Sequence, residues 1–220
     1  MVCLCSSLFF LGLYQFNNKY SQNTIQAANG ILALSEEELQ KSPMRFLVSG
    51  WAFYPDALLT PEEIRDESHY MRYLSIGEHT NFSSPANPSP YGCGTYQMTF
   101  FLPERKEAYA LEIPEVFSAY NLYLDHDLIL QMGEPAQGTP LVQNRMVTFH
   151  GGKPVTLTIA VSNYDHFYGG IVYPPAFGTM LAVNTTRGIR FAFCLFSCTV
   201  TFVCALLSFY FSRRMKQKNT

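Results

Sequence analysis

The sequence predicts an antiparallel β-sandwich held between two apolar segments. Three observations carry that reading. Stretches of six to nine residues alternate between apolar and polar side chains, as in Thr95–Leu102 and Val155–Ser162, which suits strands buried on one face. The 220 residues include 18 Phe, 14 Tyr, 13 Pro and 14 Gly, which favours strands and turns over a helical bundle. Phe191–Phe211 holds 21 residues without a charge, enough to cross a hydrocarbon layer of about 30 Å as a helix.

Taken in order, Met1–Phe16 is also uncharged and reads as the apolar core of a signal peptide or a signal-anchor. No basic segment precedes it and no small-x-small site follows, so cleaved and uncleaved forms both fit. Residues 1–18 are assigned to it and 19–45 to a tether and lead-in segment. Within the latter, Ser35 with Glu38 makes a capping pattern for a short helix that Lys41-Ser42-Pro43 ends. Phe46–Tyr54 reads as one strand bent at Gly50. Thr60-Pro61-Glu62-Glu63 is a second helix start, with Pro at its first position. Ser83–Pro90 is a proline-rich loop without a domain boundary.

The alternating stretches then follow closely. Tyr96, Met98, Phe100 and Leu102 share one face, with Thr95, Gln97 and Thr99 opposite. Tyr109, Leu111 and Ile113 repeat the pattern. So do Tyr120, Leu122 and Leu124, with Asn121 and Tyr123 opposite. Asp125-His126 predicts a tight turn into Leu128–Leu130. Val155, Leu157, Ile159 and Val161 face one way, and Thr156, Thr158, Ala160 and Ser162 the other. Gly169–Gly178 is the last strand-like piece, giving a sandwich over residues 46–182. A membrane helix over 190–212 and a basic tail over 213–220 complete the chain.

Charge sets the expected orientation. Arg213, Arg214, Lys216 and Lys218 follow the span, against Arg187 and Arg190 before it, so the tail is expected in the cytoplasm. The sandwich is then extracytoplasmic, with the lipid bilayer as an obligatory partner. A net charge of −2 gives no footprint for nucleic acid, which is not expected as a partner. Of six cysteines, Cys3 and Cys5 lie in the first apolar run and Cys194, Cys198 and Cys204 in the last. Cys93 alone falls between, so the sandwich is expected to hold no internal disulfide.

Five pieces of the chain resemble motifs of one family. They are Asn29–Ser35, Gly50–Pro55 with Leu58–Pro61, Tyr91–Tyr96 running to Leu102-Pro103, Ser118–Leu124, and Val161–His166 with Gly169–Ile171. In this order they resemble the extracytoplasmic jelly-roll domain, galactose-binding-like in fold, of bacterial seven-transmembrane receptors with diverse intracellular signalling modules. The resemblance covers about Asn29 to Lys216. It implies a jelly-roll sandwich followed by the first helix of a membrane bundle. It also implies a sensory role in which ligand binding shifts the sandwich relative to Phe191–Phe211. The expected partners are a small polar or carbohydrate ligand and a membrane signalling partner or the remaining receptor bundle. Asp125-His126 stands where the family has Asn-Gly. The chain stops after the first bundle helix, so a receptor truncated there, a split gene or a free-standing sensor half is expected.

Candidate ligand-binding residues are Trp51, Tyr91, Asn163, Asp165 and His166. Trp51 and Tyr91 offer rings for stacking on a sugar, although a lone Trp in an all-β domain is more often core. Asn163, Asp165 and His166 beside Gly169-Gly170 offer hydrogen bonds to a polar ligand, or else tie down their own loop. Asp125-His126-Asp127 carries metal-ligand side chains, but three consecutive residues rarely converge on one ion; no metal or cofactor is expected. No nucleophile elbow or phosphate loop is present, since Gly151-Gly152-Lys153 runs into Pro154 and lacks the upstream glycine. Glu104, Glu107, Glu112 and Glu115 read as solvated surface. The function expected is non-catalytic sensing or ligand binding. The alternatives are an accessory carbohydrate-binding sandwich of a glycoside-hydrolase-type protein and a structural surface domain.

Overall fold

The computed structural model describes residues 27–77, 82 and 89–218, together with 7, 8, 11 and 12. Most of the expected signal or anchor segment, residues 19–26 of the tether and most of the Ser83–Pro90 loop lie outside the described residues. The chain divides into two compact units, Met1–Met180 and Leu181–Thr220.

In the first unit the chain makes β1 (Ile31–Ala33), α1 (Glu36–Lys41), β2 (Met44–Phe46), β3 (Trp51–Pro55), α2 (Pro61–Asp66) and β4 (Arg72–Leu74). It continues through β5 (Gly92–Phe101), β6 (Tyr109–Ile113), β7 (Ala119–Leu124), β8 (Asp127–Met132), β9 (Arg145–Phe149), β10 (Val155–Asn163) and β11 (Ala176–Thr179). One sheet has seven strands in the order β4-β3-β5-β10-β7-β8, with β1 added parallel to β5. The other has four, β2-β11-β6-β9, all antiparallel.

Alternation decides what lies between the sheets. Met98 and Phe100 of β5, Leu122 of β7 and Leu157, Ile159 and Val161 of β10 are all fully buried. Across from them lie Leu111, Ile113 and Phe177 of the smaller sheet. The Phe100 ring sits 5.0 Å from Phe177 and 5.6 Å from Phe149, so aromatic contacts join the two layers.

Both predicted helix starts are present as full capping boxes. Ser35 Oγ accepts the Glu38 N–H at 3.3 Å, and Glu38 Oε2 accepts the Ser35 N–H at 2.7 Å. Thr60 and Glu63 repeat this at 3.3 and 2.7 Å, with Pro61 at the first helical position. The backbone N–H of the capping residue is the main reason each glutamate titrates below its ordinary value.

Phe46–Tyr54 departs from the expected single strand. β2 belongs to the smaller sheet and β3 to the larger, so the chain changes layer between Phe46 and Trp51. Gly50 makes the crossing, at φ +80, where a Cβ would lie 2.1 Å from the Ala27 carbonyl oxygen. Gly169–Gly178 also differs, since only Ala176–Thr179 forms a strand.

The second unit contains α3, Met180–Lys218, which begins eleven residues before the uncharged run rather than at it. Along the uncharged run its large side chains are exposed, among them Leu195, Phe196 and Phe202 at 60, 66 and 64% exposure. Thr199 and Thr201 donate their hydroxyls to the carbonyls of Leu195 and Ser197, both at 2.8 Å, which satisfies them within the helix. The helix is long and apolar enough to cross a bilayer.

Candidate functional site

β5, β7 and β10 bring their loops together at the end of the sandwich where Gly92, Ala119 and Asn163 lie. Asn163 ends β10 and is fully buried. Its Nδ2 donates to the carbonyl oxygens of Pro90, at 2.8 Å, and of His166, while its Oδ1 accepts the His166 N–H at 3.1 Å. The side chain thus locks its own loop and clips it to the segment before β5. Of the two readings open in the sequence, this side chain meets the structural one, and it has no polar atom left for a ligand.

The lock turns a row of aromatic side chains outward. The His166 ring stacks on Phe117 at 4.7 Å and 11°. His166 Nδ1 accepts the Tyr168 N–H at 3.1 Å, which leaves the proton on Nε2 as the free polar edge of the ring. Phe167 and Tyr168 pack ring to ring at 4.1 Å, and Tyr173 reaches Phe117 from the side at 6.5 Å. Phe167 is 63% exposed, and Tyr164 and Tyr91 are about half exposed. Asp165 is exposed between them. Tyr91, Asp165 and His166 therefore lie in one region with accessible polar or aromatic groups.

Trp51 is corrected out of this set. It is fully buried, donates its indole N–H to the Leu47 carbonyl at 2.9 Å and meets the Tyr96 ring edge-on at 6.3 Å. It is a core residue with no face left for a sugar. Phe117, Phe167, Tyr168 and Tyr173 were not singled out from sequence. The signal for Phe167 and Tyr168 was the aromatic run Tyr164–Tyr168 ahead of Gly169-Gly170; Phe117, in the connection between β6 and β7, carried no such signal.

The turn Asp125-His126 forms as predicted, with Asp125 at φ 53. Asp125 Oδ1 accepts the Thr156 N–H at 2.8 Å, and His126 Nδ1 pairs with Glu62 Oε1 at 2.7 Å. The side chains point to different partners. Among the described residues no group of three or more His, Cys, Asp or Glu could hold a metal ion.

A second concave region lies on the outer face of the seven-stranded sheet. Leu58 and Leu59 form one wall of a cleft of about 380 Å³, and Glu134–Ala136 the other. Asn121, Tyr123, Gln131 and Ala160 also line it.

No family model matches the sequence, and no curated protein does. Solved structures do resemble the fold. A glycosyl hydrolase family 2 member from Bacteroides cellulosilyticus DSM 14838 is similar at a TM-score of 0.50 and 11% identity, over 62% of this chain and 20% of that one. A beta-glucuronidase of Faecalibacterium prausnitzii is similar at 0.46 and 16%, over 63% and 32%. One from Ruminococcus gnavus is similar at 0.44 and 12%, over 70% and 30%. The chain spans about a third or less of the length of these enzymes. At these identities the likeness concerns the fold.

Proposed function

We propose that this chain is a membrane-anchored, non-catalytic ligand-binding domain that recognises carbohydrate at the aromatic loop end. The observation that carries the reading is the exposed surface of Tyr91, Tyr164, Phe167 and Tyr168 around Asp165 and His166. Sugar rings present C–H faces that pack on aromatic planes and hydroxyls that pair with carboxylate and imidazole. Large aromatics left in water on a rigid loop are otherwise unfavourable. The family resemblance and the apolar helix α3 support the finer reading, an extracytoplasmic jelly-roll sensor of a signalling receptor with its basic tail in the cytoplasm. In that role the bound ligand must favour one of two states of the receptor, since a ligand of equal affinity for both shifts nothing.

The test is a glycan array followed by titration, with the full chain in detergent micelles. Phe167→Ala should lower the affinity of a captured glycan about tenfold while leaving the melting temperature unchanged. Binding that is indifferent to both Phe167→Ala and Tyr168→Ala refutes the loop-end site. The likeness to a family 2 glycosyl hydrolase favours a second reading, an accessory sandwich of a carbohydrate-active enzyme. A catalytic barrel in the coding sequence adjoining this chain would favour that reading, and further apolar spans the receptor.

A further inference from the structure

The outer-face cleft carries a chemistry different from the loop end. We propose that it binds a small primary ammonium compound of monosaccharide size. Its volume of about 380 Å³ falls at the small end of ligand sites. Both walls are fixed before any ligand arrives. On one side the Leu59 N–H donates to Thr95 Oγ1 at 2.9 Å, and the same hydroxyl donates to the Ala57 carbonyl at 2.8 Å. On the other, the Glu134 N–H donates to the Thr139 carbonyl at 2.9 Å, closing the loop, and Ser162 Oγ donates to the Pro135 carbonyl at 2.5 Å. A preformed site loses little ordering entropy on binding.

The floor selects the ligand. Asn121 sits in register between Ala160 of β10 and Gln131 of β8, and the small Ala160 side chain leaves the space above the sheet open. Asn121 Oδ1 is buried without a hydrogen-bond partner. A buried acceptor left unmatched is unfavourable, and a ligand N–H would satisfy it. Glu134 is the charged residue lining the cleft, and no lysine or arginine lines it among the described residues. The Tyr123 ring adds a face that attracts cations. An ammonium group supplies donors and positive charge to this set of acceptors, whereas a carboxylate or phosphate would meet Glu134 with like charge.

The probe is glucosamine, titrated calorimetrically into the full chain in micelles, with N-acetylglucosamine and glucose as neutral counterparts. Glucosamine should bind, and both neutral sugars should bind at least about tenfold more weakly. Glu134→Gln, an exposed position, should remove that preference, and Asn121→Leu should abolish binding. Phe167→Ala should leave glucosamine binding intact, which separates this cleft from the loop end. The proposal is overturned if glucosamine does not bind, if Glu134→Gln binds it as well as the wild type, or if only Phe167→Ala weakens it.

Discussion

Replacing Asn163 by Ala tests whether one buried side chain organises the loop end. The substitution removes two donated hydrogen bonds, to Pro90 and His166, and the one accepted from the His166 N–H. All three partners are backbone groups around a fully buried side chain, so water does not readily replace the lost bonds. At about 1 kcal/mol net for each bond, the cost is about 3 kcal/mol. For a unit of this size that corresponds to a fall in melting temperature of roughly 6–12 °C. Trp51, the only tryptophan, is buried in the same unit and reports its unfolding by fluorescence. Urea titration of wild type and Asn163→Ala in micelles gives the difference directly, with the exposed Asp165→Ala expected within about 0.5 kcal/mol of wild type. A loss below about 1 kcal/mol for Asn163→Ala would refute the view that this residue holds the loop.

Three further perturbations address the fold. Burial pushes the Tyr96 and Tyr120 hydroxyls up to about 12, above the ordinary tyrosine value of about 10. The folded state therefore holds these protons more tightly than the unfolded state. Stability is complete below about pH 10 and falls by about 1.4 kcal/mol per tyrosine per pH unit between about 10 and 12; urea midpoints that stay level from pH 9 to 11 would contradict this. Gly50→Ala places a side chain at φ +80 and 2.1 Å from the Ala27 carbonyl oxygen, and should cost more than about 2 kcal/mol by denaturant titration. Thr60→Ala removes the cap of α2 and should cost about 1 kcal/mol, with faster hydrogen exchange confined to Glu62–Glu67; unchanged exchange there would count against it.

What the sequence determined by itself was everything set by neighbours along the chain. Period-two alternation named the inward faces of β5, β6, β7 and β10, because a strand buried on one side must repeat every second residue. The two capping boxes were legible because their partners stand three residues apart. The 21 uncharged residues of Phe191–Phe211 marked a helix suited to a bilayer, although its start at Met180 did not show in composition.

Tertiary structure decided what depends on residues far apart in sequence. The change of sheet within Phe46–Trp51 depends on how closely Gly50 approaches Ala27, and apolar pattern does not encode that distance. Trp51 and Asn163 were legible as residue types, but their roles were not. One became core and the other a clip to Pro90, 73 residues away, because packing and hydrogen bonding settle where a side chain's surface goes. The cleft shows the same limit most clearly. Alternation placed Asn121, Tyr123 and Ala160 on the outer face, and only folding brought Leu58, Leu59 and Glu134 over them to turn a solvent face into a walled site.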